Sequence, residues 1–157
     1  MGAGKTPKES ETWKTEIVFP NDTNPLGVLN GGRLIQWMDT ACAITAQLHT
    51  GLVCVTVGIE AVHFEAPAQL GDIITIHSTL TRVFRTSLEI RAIANGRRTK
   101  NQSNFYLSKA YFTFVASSAM PNQQIHLPEL RPTSQDEQFE YAQALKRKEL
   151  RAQSRNT

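Results

Sequence analysis

The run from Asn30 to Gly51 is apolar around most of a helical circumference: Leu34, Ile35, Trp37, Met38, Ala41, Cys42, Ile44, Ala46 and Leu48 recur at helical spacing. Asn30 is a good N-cap and Thr50-Gly51 a good stop, which predicts one long helix between them. A surface helix usually keeps about half its circumference polar, so a helix this apolar must be enclosed by other elements. The remainder of the chain therefore has to wrap around it. A length of 157 residues suits a single compact domain built that way.

After Gly51 the period changes to two, or the run becomes continuously apolar, in four stretches: Val53 to Glu65, Asp72 to Val83, Thr86 to Asn95 and Asn104 to Ser117. All are rich in Val, Ile, Thr, Phe and Tyr. Turn residues separate them at Ala66-Pro67 through Gly71, at Phe84-Arg85 and at Asn95-Gly96-Arg97-Arg98, so an antiparallel meander is expected. In the first long strand Val53, Val55, Val57 and Ile59 share a face, while Val62 and Phe64 fall on the other. That phase change predicts a bulge near Glu60-Ala61 that bends the strand around the helix. A short strand from Thr12 to Phe19, stopped by Pro20, precedes the helix. The class expected is α+β, one sheet covering one buried helix.

Outside that core, residues 1–11 read as a disordered Lys/Gly-rich tail, 12–132 as the folded domain, and 133–157 as a charged helical extension, exposed or docked. No apolar stretch follows the amino-terminal lysines, and nowhere do eighteen apolar residues run together, so neither a secretory signal nor a membrane span is expected. Cys42 and Cys54 have no metal-ligand or C-x-x-C spacing and suit a reduced, cytoplasmic chain without disulfide or metal. A formal charge of +3 is too small for a nucleic-acid surface and permits a phosphate-bearing ligand. Gly2-Ala3-Gly4-Lys5-Thr6 imitates the end of a phosphate-binding loop but lacks the preceding strand.

The chemistry-bearing stretch is Asn24 through Asp39. Amides at a helix start point outward with partial positive charge, and Gly31-Gly32 would let a ligand approach them closely; equally, Asn30 could only cap and the glycines only turn. Asp39 is the one ionisable residue between Arg33 and His49. Either it has a task in an apolar helix, or it faces water in a polar stripe with Arg33, Gln36, Thr40 and Gln47.

Taken together, Pro20, Asp22, Asn24, Gly27, Gly31-Gly32, Leu34, Trp37-Met38-Asp39 and Ala41 resemble the signature of the hotdog-fold acyl-CoA thioesterases. The branch is that of the bacterial broad-specificity enzymes and the brain-type cytosolic acyl-CoA hydrolases of animals. Val55-Thr56-Val57, Phe64, Pro67, Gly71-Asp72, Thr86-Ser87-Leu88-Glu89-Ile90, Ala110-Tyr111-Phe112-Thr113-Phe114-Val115 and Leu127-Pro128 follow in the family's order, so the resemblance covers roughly residues 12 to 150. Asn30 stands where the family usually has Phe or His.

That resemblance implies a hotdog fold, a curved antiparallel sheet wrapped around one long central helix with a C-terminal helix added. It also implies homo-oligomers, dimers that assemble into trimers of dimers, with active sites at the dimer interface. Asp39 would activate water or attack the thioester, Asn24 of the other subunit would position water or substrate, and the Gly31 and Gly32 amides would form the oxyanion hole. Asn30, Thr56, Arg85, Thr86, Ser87 and Arg91 would bind substrate and coenzyme A, arginine suiting phosphate oxygens. The partner is then a small acyl-CoA molecule rather than nucleic acid or membrane, and no cofactor is implied beyond the coenzyme A of the substrate. Arg97, Arg98 and Lys100 either join this cationic group or form a solvated loop tip. A non-catalytic acyl-CoA sensor on the same fold is the alternative, though no DNA-reading helix is evident. A dehydratase is a third, with His49 at the far end of the helix from such a role.

Overall fold

The computed structural model describes residues 4–117 and 122–156. Strand β1 (Thr12–Ile17) precedes helix α1 (Gly31–Thr50); β2 (Cys54–Phe64), β3 (Ile73–Val83), β4 (Ser87–Arg98), β5 (Ser103–Ala116) and helix α2 (Gln135–Ser154) follow. The strands form one antiparallel sheet in the order β1-β3-β4-β5-β2, so only β3, β4 and β5 make the expected meander: β2 does not pair with β3 across the turn at 66–71 but lies beside β5, and β1 takes the place next to β3. Leu34, Trp37, Met38, Ala41, Cys42, Ala46 and His49 of α1 are buried, and they share one core with Ile74, Ile76, Leu80, Leu88, Ile90, Phe112 and Phe114 of the sheet. Each such large apolar side chain contributes about 1.5–3 kcal/mol by leaving water. None of the helices is long and apolar enough to cross a membrane among the described residues.

Both predicted ends of α1 are present. The Asn30 side chain accepts a hydrogen bond from the Gly32 amide, and Gly51 closes the helix in the left-handed conformation at φ 70°. Two register shifts bend β2. One lies between Glu60 and His63, with Ala61 at φ 59°, as the phase change required. The other, between Thr56 and Gly58, was not legible: it moves Ile59 opposite Phe112, on the helix side, while Val55 stands opposite Val115 on the other face.

Three expectations are corrected. Residues 4–11 are not a disordered tail: Pro7–Glu9 form a turn whose start is closed by Thr6 N donating to Glu9 Oε2 at 2.6 Å, and Pro7 and Ser10 are buried. Pro7 presets φ there, and Lys5 pairs its backbone with Glu129 and Arg131. Residues 1–3 lie outside the described residues. Strand β4 does not turn at Asn95-Gly96 but continues to Arg98, because the Phe105 ring covers Gly96 where a side chain would stand and the ladder carries on to Arg98–Ser103. Arg98 is consequently no loop tip; it pairs with the buried Asp72 at 3.3 Å.

Helix α2 is docked, and its charges are the reason. Arg147 bonds Glu89, which is fully buried, at 2.7 Å and Glu140 at 3.1 Å, while the Tyr111 hydroxyl donates to Glu140 at 3.0 Å. Burial, with the Glu140 charge beside it, pushes the Tyr111 hydroxyl pKa up to about 12, so it remains a donor throughout.

His49, in the last turn of α1, is fully buried with Nε2 2.8 Å from the Pro128 carbonyl oxygen. A carbonyl only accepts, so Nε2 carries the hydrogen. Burial lowers the imidazole pKa from its ordinary 6.5. The unfolded chain takes up that proton first, so the stability His49 contributes is complete above about pH 6.5 and is lost as the pH falls through the lower folded value. Between about pH 7.5 and about pH 5.5 the melting temperature is expected to drop further in the unmodified protein than in His49→Gln, whose side chain does not titrate. Equal drops would remove His49 as the cause.

Candidate active site

Thr56 leaves β2 on the helix side, opposite Phe114, and its hydroxyl donates to Asp39 Oδ1. Both residues are half-buried. Asp39 is thus no member of a solvated stripe. Its carboxylate is oriented by a fixed donor, and its second oxygen, Oδ2, has no hydrogen-bond partner among the described residues. Cys42, one turn further on, is no competing nucleophile: burial, and then the Asp39 charge, push its thiol pKa well up.

A second group of expected site residues lies at the start of the same helix. Gly31 has the Phe64 ring 3.1 Å from where a Cβ would stand, beside an apolar cavity of about 320 Å3 lined by Val28, Leu29, Leu34, Phe64 and Leu107. The Gly32 amide is not available as an oxyanion donor, since it donates to Asn30 Oδ1 at 2.8 Å. The Asn30 side-chain oxygen is accordingly a helix cap, and the Gly31 amide, the first of the helix, has no partner within it. Asn24 folds its loop by accepting from Leu26 N at 2.9 Å and Val28 N at 3.3 Å, and Asn30 N bonds Asp22 O at 2.8 Å, which lays that loop beside the helix start. The Asn24 Nδ2 group donates to nothing among the described residues.

Gly31 and Asp39 are eight residues apart on a continuous helix, a rise of about 12 Å, whereas attack needs the reacting atoms within about 3.5 Å and an oxyanion donor within about 3.1 Å of the oxygen. Strand β2, which carries Thr56, is an edge strand, and Val55, Val57 and Ile59 on it are 50%, 52% and 40% exposed.

A third region is an open cleft of about 840 Å3 between the β3–β4 turn, residues 123–130 and Tyr141 of α2. Arg85 and Thr86 line it, and both are exposed. Ser87 does not; it begins β4, paired with Val115. Arg91 belongs elsewhere: alternation from the inward Leu88 and Ile90 turns it to the outer face, where it pairs with Asp136 at 3.2 Å and Glu140 at 3.4 Å of α2. Arg82, expected with the cationic group around Thr86-Ser87, lines this cleft as well, and Tyr141, which was not singled out, stands beside it. Arg82 Nη1 donates to the Tyr141 carbonyl at 3.0 Å and its guanidinium stacks 4.1 Å from the ring centroid. The row Val83–Leu88–Phe114–Thr56 links this cleft to Asp39 across three strand spacings, about 14 Å. Among the described residues no group of His, Cys, Asp and Glu could hold a metal ion.

A model of the thioesterase superfamily matches residues 26–94. Mouse acetyl-coenzyme A thioesterase is 34% identical over 149 residues, 94% of this chain and 26% of that protein, so the chain spans about a quarter of the length of this mammalian relative. The uncharacterized acyl-CoA thioester hydrolase YkhA of Bacillus subtilis is 30% identical over 83% of this chain and 75% of its own length. Acyl-CoA hydrolase from Staphylococcus aureus, solved in complex with butyryl coenzyme A, coenzyme A and coenzyme A disulfide, superposes with a TM-score of 0.86 at 30% identity, over 96% of this chain and 92% of that one. The same enzyme has been solved with an asparagine, an aspartate or a threonine changed to alanine, residues that lie 15 and 17 positions apart in that order. A hexameric acyl-CoA thioesterase without ligand superposes with a TM-score of 0.88 at 28% identity, over 96% and 97% of the two chains.

Proposed function

Because the chain belongs to the thioesterase superfamily and has its hotdog fold, we propose that it hydrolyses acyl-CoA thioesters to the free acid and coenzyme A. The observation that carries this reading is the Asp39 carboxylate, held by Thr56 at the open edge of the sheet with one oxygen left to work. Asp39 either takes a proton from the attacking water or attacks the carbonyl carbon itself. Asn24, Asp39 and Thr56 are spaced by 15 and 17 positions, the intervals of the three residues substituted in the S. aureus enzyme, which supports the same division of labour.

Two copies pair through the β2 edges, which removes the exposed edge and its apolar side chains from water. Asp39 and Thr56 of one copy then face Asn24 and the Gly31 amide of the other. The thioester oxygen gathers negative charge against that helix start, and Asn24 Nδ2 positions water or substrate. Arg85 and Thr86, with Arg82 beside them, take the phosphate-bearing end of coenzyme A. The hexameric neighbour supports further assembly of dimers into a trimer of dimers. No cofactor is needed beyond the coenzyme A of the substrate.

Purified protein mixed with acyl-CoA substrates of short, medium and long chain is expected to release free thiol, followed with a thiol reagent. Saturable binding of all three without thiol release would replace hydrolysis by the sensor reading.

A further inference from the structure

The wall of the cleft formed by residues 123–130 is irregular backbone with almost no ladder of its own, so its position depends on a few specific ties. One is the His49 Nε2–H donated to Pro128 O at 2.8 Å. The others run through Lys5, whose backbone N donates to Glu129 O at 2.8 Å and whose carbonyl accepts from Arg131 N at 2.8 Å. The Lys5 ammonium in turn donates to His49 O at 2.9 Å, at the negative end of the α1 dipole. These ties converge on the last turn of the helix that also carries Asp39.

His49 is an expensive residue for that place. Its Nδ1 is buried with no hydrogen-bond partner among the described residues, an orphaned acceptor that a leucine of similar size would not leave. Packing alone would favour the leucine. What histidine supplies and leucine does not is the Nε2–H that reaches Pro128.

We propose that His49 is a positioning residue: by holding Pro128 it sets the strap 123–130 against the Arg82–Thr86 turn, and so determines how well the cleft grips the phosphate-bearing end of a coenzyme A thioester. The proposal rests on the reading of this cleft as the coenzyme A end of the site.

The test compares an acyl-CoA with the corresponding acyl-pantetheine thioester, which has the same reacting end and no nucleotide. His49→Leu is expected to raise KM for acyl-CoA about fivefold or more with kcat within about twofold, and to leave the acyl-pantetheine kinetics unchanged. His49→Gln, which restores an amide donor of similar reach, is expected to recover most of the affinity. Lys5→Met, at a half-buried surface position, loosens the strap without disturbing the core and is expected to raise the same KM about twofold, which keeps the test open should His49→Leu fold poorly. Unaltered KM for acyl-CoA in both His49→Leu and Lys5→Met, or a parallel loss on both substrates, would overturn the positioning role. If the unmodified protein itself shows no preference for acyl-CoA over acyl-pantetheine, the reading of the cleft fails first and takes the proposal with it.

Discussion

Asp39→Asn is expected to lower kcat on acyl-CoA by about a hundred- to ten-thousandfold while KM stays within a few-fold. The substitution is nearly isosteric, and the amide oxygen can still accept from Thr56, so the geometry of the pair survives while the capacity to take a proton or attack carbon is lost. Half-buried Asp39 is not part of the apolar core, so the melting temperature is expected to stay close to that of the unmodified protein. Steady-state kinetics with saturating substrate, alongside thermal melts, make the measurement. A variant that keeps more than about a tenth of its kcat would remove Asp39 from the chemistry.

Mixing inactive Asn24→Ala and Asp39→Ala chains under conditions of subunit exchange is expected to restore about a quarter of the full activity. Half of the dimers formed by random pairing are hybrids, and each hybrid has one of its two sites in which an intact Asn24 meets an intact Asp39. The other site of the same hybrid carries both lesions. The result follows from the proposed shared site: Gly31 and Asp39 are about 12 Å apart along one helix, and pairing two copies sets Asp39 of one against Asn24 and Gly31 of the other. Demonstrated exchange with no recovered activity would refute the shared site.

Much of the fold was legible because it follows from local pattern. Asn30 and Gly51 bound the helix by capping chemistry, and the β3-β4-β5 meander follows from period-two runs broken by turn residues, whereas the place of β2 beside β5 and not β3 does not follow from the short connection between β2 and β3. Where the reading failed, a contact distant in sequence overrode a local signal. Asn95-Gly96 is ordinary hairpin chemistry, yet the Phe105 ring sits over Gly96 and the strand runs on to Arg98. Arg91 lies in a cationic stretch that suits phosphate, yet α2 brings Asp136 and Glu140 to it from 45 and 49 positions away. Asp39 could not be told from a solvated carboxylate by helical spacing, because the partner that decides the matter, Thr56, stands on another element.

By itself the amino-acid order determined that a long apolar helix needs a sheet around it, and that an asparagine, a pair of glycines and an aspartate fall at its start and along its length. Such features depend on neighbours within a few residues, where capping, alternation and turn geometry operate. Only the tertiary structure decided that Asp39 is aligned by Thr56, that the Arg91 guanidinium anchors a helix, and that Arg98 reaches the buried Asp72. The physical reason is that hydrogen bonds and ion pairs are satisfied by whatever the fold brings within about 3 Å, a quantity that the spacing of residues along the chain does not contain.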